Sequence, residues 1–130
     1  MKVITAAAMA VILVAAGSSP ARADFSASSQ LGRESYGIAS WYGPGFKGHR
    51  TANGERFNPK ALTAAHPSLP FGTLVEVSRT NRKKSVVVCI TDRGPFTGRA
   101  IDLSQAAARR LHMTYLGAVP VKMQVVGMTE

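Results

Sequence analysis

The stretch from Thr73 to Thr91 constrains the fold more than any other part of this sequence. Thr73–Arg79 and Ser85–Thr91 flank Thr80-Asn81-Arg82-Lys83-Lys84, a polar run, so the two arms read as a β-hairpin. In the first arm Thr73, Val75 and Val77 alternate with Leu74, Glu76 and Ser78, the period-two pattern of a strand with one buried face. The second arm, Val86-Val87-Val88-Cys89-Ile90, is apolar on both faces, as a central barrel strand would be. Cys89 is therefore expected to be buried, and as the single cysteine it has no partner within the chain.

Ile38–Tyr42, Ala61–Ala65, Ala100–Leu103 and Val119–Val126 read as further short strands. The last puts Val119, Val121, Met123 and Val125 on one face. Ser104 can N-cap a helix from Gln105 to about His112, with Ala107 and Leu111 inward, Arg109 and Arg110 outward, and Gly117 at the exit. Pro44–Lys60, broken by Gly45, Gly48, Gly54 and Pro59, reads as a long loop or loose hairpin, and loops of that length usually serve function. Short strands, one short helix and no βαβ rhythm predict a mainly β fold, a small barrel.

The first residues have a different character. Met1-Lys2, the uncharged apolar run Val3–Ala16, the break Gly17–Pro20 and the small-x-small Ala21-Arg22-Ala23 predict a signal peptide over 1–23, cleaved near Ala23. The apolar run falls short of the ~20 residues of a spanning helix, so no stable membrane anchor is expected. Residues 24–34 read as a disordered leader and 35–130 as one barrel domain. Removing Lys2 and Arg22 from the 16 basic residues leaves 14 against 7 acidic ones, a formal charge of +7. For a protein inside the cell that balance would suggest nucleic acid; for an exported one it suggests acidic wall polymer, anionic lipid or polysaccharide. Solubility alone is the plainer explanation.

The acidic inventory narrows the chemistry. Asp24, Glu34 and Glu130 lie in or beside the expected termini, and Glu76 is out of phase with the apolar positions of its strand. Glu55, Asp92 and Asp102 remain. Asp92 ends an apolar strand at Thr91-Asp92-Arg93-Gly94-Pro95-Phe96, where a rigidly held carboxyl suits proton donation, though it equally suits an Asx-type turn. A nearby cation, Arg93 or Arg99, would oppose the proton-donor role if it faced the carboxyl. Glu55 follows the turn signal Asn53-Gly54 and reads as groove residue or plain surface glutamate. Asp102, between Ile101 and Leu103, reads as structural at a strand–helix junction. His66 sits at a strand end, as an orienting group or a satisfied structural one. No Cys/His cluster at ligand spacing, Gly-rich phosphate loop or serine elbow occurs, so neither metal nor cofactor is expected. Trp41, Tyr42, Phe46, Phe57, Phe71 and Phe96 surround the same loops, and suit either sugar faces or core packing.

Six segments in order resemble the rare lipoprotein A family. They are Gly37-Ile38-Ala39-Ser40-Trp41-Tyr42-Gly43, Thr51-Ala52-Asn53-Gly54-Glu55-Arg56-Phe57, Leu62-Thr63-Ala64-Ala65-His66, Leu69-Pro70-Phe71-Gly72-Thr73, Asp92-Arg93-Gly94-Pro95-Phe96 and Arg99-Ala100-Ile101-Asp102-Leu103-Ser104. The resemblance implies a six-stranded double-psi β-barrel, the fold also of expansins. It implies lytic transglycosylase activity on peptidoglycan, cleaving the β-1,4 bond after N-acetylmuramic acid to leave a 1,6-anhydro sugar. Carried over by motif, Asp92 is the acid, with Glu55 and His66 in orienting or electrostatic roles, and Trp41, Tyr42, Asn53, Arg93 and Phe96 on the substrate. Glycan strands are then the partner, with no nucleic acid, and the protein is expected as a periplasmic or secreted monomer. Asp24 stands where the family's lipidated cysteine would follow the expected cleavage site, so a non-lipidated protein is expected, as is the lack of the C-terminal glycan-binding module that many members carry. A non-catalytic, expansin-like wall-binding or loosening protein is the alternative reading.

Overall fold

Val75 and Val77 on one arm of the hairpin, and Val86, Val88 and Ile90 on the other, are fully or almost fully buried, and the rest of the chain wraps to enclose them. The computed structural model describes residues 30–42 and 44–129; the expected signal peptide and most of the expected leader lie outside these residues. The strands are β1 (Glu34–Trp41), β2 (Thr63–Ala65), β3 (Thr73–Arg79), β4 (Ser85–Asp92), β5 (Ile101–Leu103) and β6 (Ala118–Met128), with one helix, α1 (Gln105–Arg110), between β5 and β6. They close in the order β1-β5-β2-β4-β3-β6, which is the six-stranded, mainly β barrel that the motifs imply. Two of the pairings, β1 with β5 and β2 with β4, are parallel, and the others are antiparallel.

Ile101 and Leu103 join the β3, β4 and β6 side chains in the core, and Ala107, Ala108, Leu111 and Met113 cover one end of it. The cap at Ser104 forms as expected, its hydroxyl accepting from the Ala107 N–H while donating to the Ala61 carbonyl at 2.6 Å. The buried Arg79 donates to the Leu111 and His112 carbonyls, giving the helix C-terminus a cation. His112 itself has φ 54, so the helix stops at Arg110 rather than running to His112.

Two further expectations are corrected. β4 is not enclosed on both faces: Val87 is 42% exposed and Cys89 is only half-buried. A small barrel has one interior, and the outward positions of β4 find no second layer over them. β1 also begins earlier than Ile38, because Glu34 to Ser40 pair with β6 from Gln124 to Ala118. Just before it, Gly32 N–H donates to Val125 O at 2.8 Å and Val125 N–H donates to Arg33 O, so residues 32 and 33 are tied to the barrel.

Gly37 permits that pairing. A Cβ built there would stand 2.5 Å from the Ala100 Cβ, closer than two carbons can sit. Gly37→Ala is expected to cost about 1–3 kcal/mol of stability in urea unfolding, as other overpacked sites do. Ala100→Gly in the same background should recover part of the loss, which a general strand-propensity effect would not allow.

Candidate active site

Strand register brings the acidic groups together. Asp92 of β4 is level with Ala65 of β2, Ala65 with Asp102 of β5, and Asp102 with Ser40 of β1. Paired positions face the same way, so the two aspartates flank the Ala65 methyl at two strand spacings, roughly 10 Å between their Cα atoms. A bulge makes this possible: Ala64 pairs with Ile90 but Ala65 pairs with Asp92, so Thr91 is skipped. The freed Thr91 carbonyl accepts from the Asn53 N–H at 3.1 Å.

Above Ala65 opens a cleft of about 200 Å³, walled by Tyr42, Phe46, Thr51, Phe57 and Arg93, with Asp92 and Asp102 at its base. Asp92 Oδ1 accepts from the N–H groups of Ala52 (2.8 Å) and Arg93 (2.9 Å). Both alternatives weighed for this residue therefore have a place, since one oxygen closes the turn. Among the described residues no donor reaches Oδ2. The Arg93 guanidinium donates to the His66 carbonyl at 3.1 Å and to the Asp92 backbone carbonyl at 3.5 Å and lies 4.1 Å from the Phe71 ring centroid, with no ion pair to the Asp92 carboxylate.

Asp102 is the site residue that sequence reasoning assigned to structure alone. It is half-buried, and burial raises its pKa above the ordinary carboxylate value, helped by the Asp92 charge. The Ser40 hydroxyl, donating to Oδ1 at 3.0 Å, and Arg99 act in the other direction. Only the pairing register could have revealed its place, because its neighbours Ile101 and Leu103 are core residues that mark it merely as facing away from them. Tyr42 stands beside both carboxylates. Burial, then the Asp92 and Asp102 charges, push its pKa well up, so the hydroxyl keeps its proton. Thr63 offsets part of this rise without reaching hydrogen-bond geometry, and the buried Tyr42 hydroxyl has no partner among the described residues. Its ring packs against Phe57 at 4.6 Å and edge-on to Phe46 at 5.6 Å.

The remaining sequence-predicted residues lie outside the cleft. Glu55 is exposed and faces an adjoining depression lined by Arg56, Asn58 and Ala61, which shares Thr51 and Phe57 with the cleft. Asn53 organises the turn before it: its side-chain oxygen accepts from the Thr51 hydroxyl and the Glu55 N–H, and its amide nitrogen donates to Glu55 Oε1. That turn presents the Ala52 N–H to Asp92. Trp41 is half-buried against the core, its indole N–H donating to Thr114 O. Phe96 is 78% exposed and follows the cis Gly94–Pro95 bond. His66 lines a neighbouring depression with Arg33 and Leu69, while its backbone N–H donates to Asp92 O. No group of three His, Cys, Asp or Glu side chains is placed to hold a metal among the described residues.

The closed six-stranded barrel with parallel β1–β5 and β2–β4 pairings is that of a double-psi β-barrel protein. Residues 34–123 match the family described as "Lytic transglycolase". The chain is 57% identical over 103 residues to a probable endolytic peptidoglycan transglycosylase RlpA of Synechocystis, covering 78% of this chain and 32% of that protein. It is 49% identical over 98 residues to the endolytic peptidoglycan transglycosylase RlpA of Campylobacter jejuni, covering 75% and 36%. The chain thus belongs to the lytic transglycolase family of double-psi barrels, and spans about a third of the length of these relatives. Among solved structures it resembles a Streptomyces papain inhibitor (TM-score 0.61, 27% identity, covering 74% of this chain and 96% of that one). An expansin of Clavibacter michiganensis in complex with cellohexaose shares the fold (TM-score 0.57, 21% identity, covering 72% and 50%).

His66 gives the site a pH signature. Its Nδ1 accepts from the N–H groups of Ser68 and Leu69, and burial, with the Arg93 charge second, lowers its pKa to about 4. A lowered histidine pKa leaves stability untouched above the unfolded value near 6.5 and removes it as pH falls towards 4. After allowance for solvent screening, urea unfolding between those pH values should show a loss of order 1–2 kcal/mol that His66→Gln flattens.

Proposed function

We propose that this chain is an endolytic peptidoglycan lytic transglycosylase, cleaving the β-1,4 bond between N-acetylmuramic acid and N-acetylglucosamine with 1,6-anhydro closure. The observation that carries the reading is the pair Asp92 and Asp102 facing one cleft across the Ala65 methyl. The names of its relatives agree with it.

In the reaction, Asp92 in its acid form protonates the glycosidic oxygen through Oδ2, the oxygen not held by Ala52 and Arg93. The C1–O bond breaks, and the C6 hydroxyl of the same sugar closes on C1. Its proton passes to the Asp92 carboxylate, so the enzyme ends as it began. The nucleophile is intramolecular, so no water need be held by a second carboxylate. The Asp92 charge adds to the burial that raises the Asp102 pKa. The exposed Phe46 ring offers a face to the apolar side of a sugar ring, with Tyr42 and the buried Phe57 packed behind it. A second reading, favoured by the burial of Asp102, makes Asp102 the proton donor and Asp92 its partner. The reading carries with it export through the signal peptide at 1–23 and action in the periplasm.

Intact and peptide-stripped peptidoglycan, digested and analysed by mass spectrometry, should give fragments about one water lighter than hydrolysis products. Asp92→Asn should lower their rate at least ~100-fold, and Asp102→Asn less, with a displaced acid limb in the pH–rate profile. The reverse order of losses would transfer the donor role to Asp102. Absence of anhydro fragments from the parent on both substrates, with glycan binding retained, would leave a non-catalytic wall-binding protein.

A further inference from the structure

The two carboxyls at the base of the cleft are held in different ways. Asp92 Oδ1 rests on two backbone N–H groups, those of Ala52 and Arg93, which no change of side chain at those positions other than proline removes. Asp102 Oδ1 takes its hydrogen bond from a side chain, the Ser40 hydroxyl at 3.0 Å, and among the described residues no other donor reaches its carboxyl.

Ser40 stands where it can give that bond in a fixed geometry. Its backbone lies between two strands, level with Ala118 of β6 on one side and with Asp102 of β5 on the other. Residues that are level in neighbouring strands face the same way, and Ala39 before it faces the core, so Ser40 shares the outward side with Asp102. Only 9% of Ser40 is exposed. Burying a hydroxyl costs free energy unless it is bonded, and alanine would fill the same space without that cost. Packing alone therefore gives no reason for the hydroxyl.

The other groups that act on Asp102 do so through charge. Arg99, just ahead of β5, and Asp92 on β4 work in opposite directions. Tyr42 keeps its proton and adds no charge. His49, Arg50 and Arg93 line the rest of the cleft, and among the described residues none of them hydrogen-bonds to the Asp102 carboxyl.

We propose that Ser40 is a positioning residue of the reaction: its hydroxyl turns Oδ1 of Asp102 towards β1, leaves Oδ2 for the substrate, and helps this carboxyl to ionise beside Asp92. The inference rests on the reading of the cleft as the glycan site. A hydrogen bond to a carboxylate is stronger than one to its protonated form, so losing it favours the proton and frees the carboxyl to rotate. With protons to distribute between two carboxyls, the Ser40 bond bears on which of them holds one.

The test has two readouts. NMR of the Asp carboxyl carbons, followed as pH is varied, needs no activity. The second is the pH–rate profile for release of anhydro fragments from soluble glycan chains. Ser40→Ala should move the Asp102 titration upward and lower kcat roughly tenfold with KM little changed, about what one hydrogen bond to a charged group supplies. Ser40→Thr, which keeps the hydroxyl on a residue that strands favour, should restore both. Adding Ser40→Ala to Asp102→Ala should lower the rate little further. Urea unfolding of each variant separates these effects from a folding defect. An Asp102 titration that Ser40→Ala leaves unmoved overturns the proposal. So does a rate loss that a Ser40→Thr protein of unchanged stability fails to restore, or one that recurs in full in the Asp102→Ala background, the mark of a residue that merely packs. A parent that releases no anhydro fragments would sink the lytic reading, and the carboxyl titration would still decide this one.

Discussion

The alignment of Asp92, Ala65, Asp102 and Ser40 across four neighbouring strands is the constraint on which the rest of the structure depends. β2 is only Thr63–Ala65, yet it is the strand that sets the separation of the two carboxylates. The core serves that alignment. Ile101 and Leu103 flank Asp102 and Ile90 precedes the bulged Thr91, and all three are fully buried, so their packing fixes the strand ends to which the aspartates belong. Ala65 contributes by being small, since a longer side chain there would fill the space between the carboxyl groups.

Around this row the loops supply donors rather than catalytic groups. The Thr51–Glu55 turn is closed by its own hydrogen bonds, with Thr51 N–H donating to Glu55 O at 2.7 Å and Gly54 N–H donating to Thr51 O. It gives one N–H, that of Ala52, to Asp92. On the other flank the Arg93 guanidinium is occupied by the His66 and Asp92 carbonyls and the Phe71 face, and makes no ion pair with the carboxylate. Rigid backbone donors and a diverted cation together leave one carboxyl oxygen open to the cleft. A loose turn, or an arginine folded back onto Asp92, would close it.

Much of this was legible in the sequence where the signal is local. The β3–β4 hairpin follows from alternation, with β3 ending where expected and β4 one residue longer, and Ser104 caps α1 as its position suggests. Long-range register was not legible. Asp102 looks structural between two aliphatics until β2 is seen pairing it level with Asp92. Conversely, Glu55 and His66 carry the family's motif, but the motif does not say on which side of a turn a side chain falls. The exposure of Val87 and the half-burial of Cys89 went unread because apolar composition alone does not reveal whether a second layer covers the strand.

The bulge at Thr91 has a consequence for how this chain can vary over time. It shifts the parity of β4 by one, so that Asp92 rather than Thr91 faces Ala65. A residue inserted between Ile90 and Asp92 would carry the carboxylate past Ala65, and loss of Thr91 would remove the carbonyl that holds the Asn53 N–H, errors that no single later substitution repairs. The same change among Thr80 to Lys84, beyond the paired residues Ser78 and Ser85, alters only a turn. Length variation in descendants of this sequence is therefore directed to one end of the hairpin and barred from the other. The barred end carries the acid.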